Sequence, residues 1–323
     1  MPDRPENPFR AAGEWLRTQL HDHTIESDGE LSPEEHVALY DSLGFDVVAV
    51  TDHWKVTRVA STSRMLVMTG AELAVDPLGP GRYTEILAIG IDHIPDDPGG
   101  DRRHWEPIDN YEFKTFPDLS AAATEIARQG GAAFVAHPYW SGLPPEIVIG
   151  ADGLTGLELF NASSEREDGR GDSSYVWDLA LEAGRSLGAI ATDDCHYSDT
   201  DYGAAWTMVR AIDRTPDGVL DALRAGRTYC SNGPAIVDIQ RDGDNVEVRC
   251  SPAATVRFQS RHEVGWAARI DRGRNEHVRI VQRDGDGRIL RARLVGPTDP
   301  PAEPYLRIVV EDAAGRRAWT NPI

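Results

Sequence analysis

The chain has 323 residues, 40% of them hydrophobic and 27% charged, and a formal net charge of −20 at pH 7. That length holds one large domain with a smaller one, and such acidity disfavours extended nucleic acid as a partner. No apolar run approaches the roughly 20 residues that cross a bilayer. The negative charge is concentrated in residues 1–230, at −22, because 231–323 hold 15 Arg against 13 Asp and Glu. The start, Met1 to Pro8, is charged and proline-rich, unlike a secretory signal. The three cysteines, Cys195, Cys230 and Cys250, are odd in number and form no Cys-x-x-Cys pair. A reducing cytoplasm is therefore expected.

In chain order, Trp15–Leu20 reads as a strand ending at His21. Ser32-Pro-Glu-Glu opens a helix: Ser32 suits the N-cap, Pro33 the first turn, and Glu35 completes a capping box. The helix stops near Gly44. Phe45–Val50 and Met65–Met68 are buried-type strands that feed Thr51-Asp-His and Gly70-Ala-Glu. Ile86–Ile91 follows, then a loop at 94–118 expected to rim a pocket. Leu119–Arg128 is a helix, Ala132–Ala136 a strand ending at His137, and Leu157–Phe160 a strand ending at Asn161. Trp177–Ala183, Ala189–Thr192 and Val219–Ala225 continue the alternation. Apolar strands joined by helices predict a parallel sheet covered on both faces. Beyond Pro234 only strands are legible, with two hairpins turning at Asp-Gly. The expected fold is a βα barrel over 1–234 and a small all-β sandwich over 235–323.

Eight side chains with metal-ligating chemistry fall at the ends of these strands: His21, His23, Asp28, His53, Glu72, His137, Asp194 and His196. Imidazoles with carboxylates suit zinc, manganese or iron. Strand-end delivery is how a barrel gathers a site from distant segments. Singly, His21 and His23 read equally as partly exposed surface histidines, His53 and His137 as buried neutral imidazoles, and Asp28 in Ser-Asp-Gly as a turn former more than a ligand. Asp52, before His53, either orients a ligand from behind or is a structural carboxylate. His36, His93, His104, His262 and His277 fall outside the pattern.

The series Leu20-His-Asp-His-Thr, Ser27-Asp-Gly, Ser32-Pro-Glu-Glu, Thr51-Asp-His, Gly70-Ala-Glu-Leu, Ala136-His-Pro, Gly156-Leu-Glu-Leu-Phe-Asn and Asp194-Cys-His resembles the motifs of the PHP (polymerase and histidinol phosphatase) family. The run from Ala222 to Pro234, and the ending Ala318-Trp-Thr-Asn-Pro-Ile, resemble the branch that includes carbaryl hydrolases. The resemblance implies a distorted, TIM-like βα barrel with two or three divalent ions. His21, His23, Glu72 and Asp194 match one metal site, and Glu72 bridges to a second that includes His137. Asp28, His53 and His196 match a third. Family members often carry His where this chain has Glu85, which leaves open whether Glu85 or His93 completes a site.

The expected function is a metal-dependent hydrolase acting on a small anionic molecule, foremost a phosphoester, through a metal-bridging hydroxide. Glu72, Asp194 and Asp52 are the candidate catalytic carboxylates. A carbamate, ester or amide substrate is the first alternative. A metal-stabilised scaffold with a β binding module is the second. Neither nucleic acid nor a membrane is expected as a partner.

Overall fold

The computed structural model describes residues 7–76, 84–95, 102–105, 111–197, 202–272, 276–296 and 305–323. The first six residues, and parts of the 94–118 segment, lie outside this set.

The chain opens with β1 (Glu14–Gln19), α1 (Pro33–Ser42), β2 (Val47–Val50), β3 (Leu66–Val75) and β4 (Thr84–Ile89). A hairpin of β5 (Arg102–Trp105) and β6 (Tyr111–Lys114) stands where the sequence suggested only loop. Then come α2 (Leu119–Arg128), β7 (Ala132–Val135), α3 (Pro145–Gly150), β8 (Gly156–Asn161), α4 (Ala162–Asp168), α5 (Ser174–Glu182) and β9 (Gly188–Thr192). The helical half finishes with β10 (Trp206–Ala211), α6 (Pro216–Arg224) and β11 (Thr228–Ser231). Strands alone follow: β12 (Ile236–Asp242), β13 (Asn245–Ala253), β14 (Thr255–Gln259), β15 (Gly265–Arg269), β16 (Val278–Arg283), β17 (Ile289–Leu294), β18 (Arg307–Glu311) and β19 (Arg317–Thr320).

Local chemistry explains several boundaries. Ser32 Oγ accepts from Glu35 N at 3.3 Å while Glu35 Oε2 accepts from Ser32 N at 3.0 Å, the reciprocal capping box read from the sequence. Between β12 and β13, Asp242 faces Asn245 and Gly243 takes a φ of 58°, a conformation glycine adopts at no steric cost.

A thirteen-stranded sheet runs β15-β14-β18-β19-β11-β10-β1-β2-β3-β4-β7-β8-β9. Among the described residues, parallel ladders between strands are β1–β2, β2–β3, β7–β8 and β8–β9. The uniformly parallel sheet expected from the sequence is corrected at β4, which runs antiparallel to both β3 and β7. The sheet is mixed α/β and its strand order is open, with β9 at one edge. That edge nonetheless turns back toward β1. Beyond β9, Asp22 and Cys195 form an isolated parallel bridge. Thr207 Oγ1 both accepts from Ala191 N and donates to Ala191 O, at 2.9 Å each.

Inside the curve lies an apolar cluster with Leu16, Leu20, Met68, Leu87, Phe134 and Ile190, stopped at the far end by Val219, Leu220 and Leu223 of α6. Outside, α2 and α5 bury Leu119, Ala122, Ile126, Trp177 and Ala180 against the other faces of β3, β7 and β8. The four strands β12-β13-β17-β16 pair as a second sheet. It packs on β14 and β18, which continue the thirteen-stranded sheet beyond β11 and β19, through Ile239, Val248, Ala292, Phe258 and Ile308. All three cysteines are buried and unpaired. Among the described residues no helix is long and apolar enough to cross a membrane.

Candidate metal centre

The parallel strands end on one side of the sheet, and their ends carry the candidate ligands. His21 and His23 follow β1, His53 follows β2, His137 follows β7 and Asp194 follows β9. Two placements differ from the strand-end pattern. Glu72 lies within ten-residue β3, not after it. Glu85 lies at the start of β4, because the reversed course of that strand brings its N-terminus to the cup.

The side chains of His21, His23, Glu72 and Asp194 converge on one point. His21 Nε2 is 3.0 Å from Glu72 Oε2 and 3.2 Å from Asp194 Oδ1. His23 Nε2 is 3.2 Å from each of these oxygens and 3.2 Å from His21 Nε2. Four ligands at about 2.0–2.1 Å from a tetrahedral cation stand roughly 3.3 Å from one another, so the donor spacing matches a divalent ion. Asp194 Oδ1 is buried and accepts no hydrogen bond among the described residues, despite two imidazole nitrogens nearby. Buried carboxylate oxygens are rarely left so. The residues fit a cation.

A second group adjoins it through the other oxygen of Glu72, which lies 3.1 Å from His137 Nε2. Glu85 Oε2 is 3.6 Å from the same nitrogen, and His53 Nδ1 is 3.4 Å from Glu72 Oε2 and 3.7 Å from Glu85 Oε1. The third group centres on Asp28, whose oxygens lie 3.5 Å from His196 Nε2, 3.6 Å from His53 Nε2 and 3.5 Å from His23 Nδ1. Asp28 Oδ1 is also buried without a hydrogen bond among the described residues. His53 thus stands between two groups, one ring nitrogen toward each. All eight candidate donors expected from the sequence lie together in this one cup.

Electrostatics set the protonation of the metal-free cup. Burial raises the Glu85 carboxyl to about 8, with Glu72 adding to the rise. Burial disfavours the His137 imidazolium, but Glu72 outweighs it and brings the ring to about 9. His53 is pushed down to about 4 by burial and then by His23. Burial opposes ionisation of Glu72 and Asp194 as well, yet His21 holds both below the usual carboxylate range. Protons thus occupy donor atoms that a cation would take.

Backing residues set these ligands. Glu158, fully buried, places Oε1 2.7 Å from His21 Nδ1, and its other oxygen accepts from His137 N at 2.7 Å and Asn161 Nδ2 at 3.0 Å. Asn161 Nδ2 also donates to Asp194 Oδ2 at 2.9 Å. Ser141 Oγ meets His137 Nδ1 at 3.0 Å. Such partners fix ring orientation and ligand basicity. The sequence carried a signal for Glu158, a carboxylate inside the apolar run Gly156-Leu-Glu-Leu-Phe, but not for its pairing with His21. Asp52 stands behind the cup: its carboxylate accepts from Thr24 N, Thr24 Oγ1, Ser27 Oγ and Thr57 Oγ1. Its contacts hold the loop that carries Asp28. His93 is exposed at the opposite end of β4, where its amide donates to Gln129 Oε1 at 3.2 Å, so of the two residues left open it is Glu85 that joins the cup.

Backbone strain concentrates here. His137 and Asp194 have φ of 25° and 55°, and Trp54, next to His53, has 50°. Non-glycine residues hold this region only where the surroundings compel it. Gly29 of Ser-Asp-Gly has no such φ, but a Cβ there would lie 2.4 Å from the His23 carbonyl oxygen.

A cleft of about 210 Å³ opens over the three groups, walled by Trp140, Ser163, Ser164, Glu167 and Tyr197. Neither a protein-family model nor a curated protein matches the chain. Solved structures do. A two-domain protein from Bacteroides vulgatus, described as containing a predicted PHP-like metal-dependent phosphoesterase, is 17% identical with a TM-score of 0.50, over 100% of this chain and 92% of that one. An amidohydrolase from Chromobacterium violaceum is 18% identical with a TM-score of 0.40, over 58% and 89%. The lesion-specific endonuclease PfuEndoQ from Pyrococcus furiosus is 12% identical with a TM-score of 0.45, over 65% and 56%. At these identities the likeness is one of fold, and the Bacteroides protein carries it.

Proposed function

We propose that this chain is a divalent-metal-dependent hydrolase of the PHP family, a phosphoesterase acting on a small anionic substrate. The observation that carries the reading is Glu72, whose two oxygens serve adjacent donor groups, 3.0 Å from His21 Nε2 on one side and 3.1 Å from His137 Nε2 on the other. His21, His23, Glu72 and Asp194 would hold one ion; Glu72, Glu85 and His137 a second; Asp28, His53 and His196 a third. Zinc, manganese or iron so held supplies Lewis acidity and lowers the pKa of water. The chain's own part is positional. Glu158 fixes the His21 ring, Asn161 fixes Asp194, and Ser163 and Ser164 offer hydroxyls to substrate oxygens in the cleft. The fold is read as a distorted barrel over 1–234 and a β domain over 235–323 of the carbaryl-hydrolase-like branch, in a reducing cytoplasm.

One observation favours a second reading, an uncharged carbamate or ester. Among the described residues lining the cleft there is no Arg or Lys, whereas a phosphomonoester dianion is ordinarily clamped by guanidinium. Protein reconstituted with manganese, zinc or iron is to be assayed on a p-nitrophenyl phosphomonoester, a p-nitrophenyl phosphodiester and a naphthyl carbamate. Chelator-sensitive turnover of either phosphoester, lost in Glu72→Gln, supports the first reading. Turnover of the carbamate alone supports the second. Metal uptake without any turnover would leave a scaffold.

A further inference from the structure

Tyr40 lies on α1, fully buried, its ring packed with Val37, Phe45, Val48 and Met65. Its hydroxyl leaves that apolar cluster and lies 2.7 Å from Asp22 Oδ1 and 2.8 Å from Asp193 Oδ2. Neither carboxylate belongs to the cup. Asp22 stands between His21 and His23, and Asp193 directly precedes Asp194. Each points to the back of a backbone whose front presents ligands. Those two stretches of backbone are joined by His23 N to Cys195 O at 3.1 Å and Asp194 N to His21 O at 2.9 Å.

Asp22 and Asp193 are both fully buried. A phenol carries one proton, so Tyr40 bridges the pair by donating to one carboxyl group and accepting from the other, which must then hold a proton of its own. Asp193 also accepts from Gly203 N at 2.6 Å and Ala205 N at 2.8 Å, but Asp22 Oδ2 accepts no hydrogen bond among the described residues. The Tyr40 hydroxyl is therefore the link between the two carboxyl groups, and through them between the two stretches. A slight parting of the two stretches would carry Asp194 away from both imidazoles.

We propose that Tyr40 is a positioning residue for the His21, His23, Glu72 and Asp194 group: its hydroxyl, by clasping Asp22 to Asp193, keeps the two ligand-bearing segments at the spacing a cation requires. This rests on the metal-centre reading above.

Cobalt(II) titration of the metal-free full chain, followed by visible absorption and by competition with a chelator, separates the two. Wild-type protein that takes up no cobalt ends the metal-centre reading. With uptake in the wild type, Tyr40→Phe should weaken one site about 10-fold and shift its cobalt spectrum toward higher coordination. Tyr40→Phe with Asp22→Asn, which leaves Asp193 no ionisable neighbour there once the hydroxyl is gone, should recover most of that loss. Val37→Ala, a neighbour on the same helix, should lower thermal stability with cobalt affinity unchanged. The clasp is overturned by wild-type affinity and spectrum in Tyr40→Phe, by a double variant no better than the single, or by an equal loss in Val37→Ala. Should Tyr40→Phe not fold, a double variant that also does not fold overturns it.

Discussion

Glu158 Oε1 and His21 Nδ1 lie 2.7 Å apart with both side chains fully out of solvent. The contact settles which ring nitrogen of His21 is free to face the cup: Nδ1 is engaged, so Nε2 points to Glu72 and Asp194. Removing this partner should loosen the ring. Glu158→Gln is expected to lower metal affinity about 10- to 100-fold, and Glu158→Ala more, measured by competition with a chromophoric chelator. Unchanged affinity in both variants would show the contact to be incidental.

Stoichiometry should distinguish shared from private ligands. Glu72 faces two donor groups, whereas His196 turns Nε2 to the Asp28 group and stands no nearer than 3.8 Å to Asp194 Oδ1 of the first. Glu72→Ala should therefore lose at least two ions per chain relative to the wild type, and His196→Ala only one. Metal analysis of the purified variants by mass spectrometry reads this directly. Equal losses would contradict the shared carboxylate.

The protonation of the cup predicts a pH dependence. Glu85 is held to about 8 and His137 to about 9, both above their unfolded values. Such groups bind more protons folded than unfolded, so their stabilisation is full at low pH and fades as pH rises through the folded values. In metal-free protein, Glu85→Gln should therefore raise the melting temperature more at pH 8 than at pH 5. A gain that is equal at both, or larger at pH 5, reverses the sign and rejects the assignment. Metal uptake at neutral pH should also release protons, visible as a buffer-dependent enthalpy in titration calorimetry.

Asp52 is a loop anchor by its contacts. Asp52→Ala strands the donors of Thr24, Ser27 and Thr57. Losing several hydrogen bonds to one buried charge costs about 2–4 kcal/mol. Chemical denaturation should show this loss, and affinity should fall mainly at the site of Asp28, whose loop is released. A variant of native stability, impaired only in turnover, would return Asp52 to a direct catalytic role.

Much of the site was legible because its signals are local. An imidazole or carboxylate that closes an apolar run marks a strand end, and the Ser32 to Glu35 box depends only on residues three apart. The joint series His21 to His196 thus named the cup without coordinates. Glu85 was ambiguous for a physical reason: ligands are expected at the C-terminal ends of parallel strands, and nothing local in Thr-Glu-Ile-Leu-Ala-Ile announces that β4 runs backwards. Its direction follows from pairing with β3 and β7, decided by long-range ladder formation and burial. The hairpin of β5 and β6 was missed because Asp, Pro and Gly in its neighbourhood read as loop.

By itself, then, the amino-acid sequence named the candidate donors, the capping box of α1 and the change from alternating elements to strands alone, since each is a property of neighbours along the chain. The tertiary structure decided which of these donors lie close together, that Glu158 rather than Asp52 backs an imidazole, and that Tyr40 reaches two aspartates 171 positions apart. Those are distances between residues far apart in the chain, and only the packed fold, with its buried charges brought within hydrogen-bonding reach, sets them.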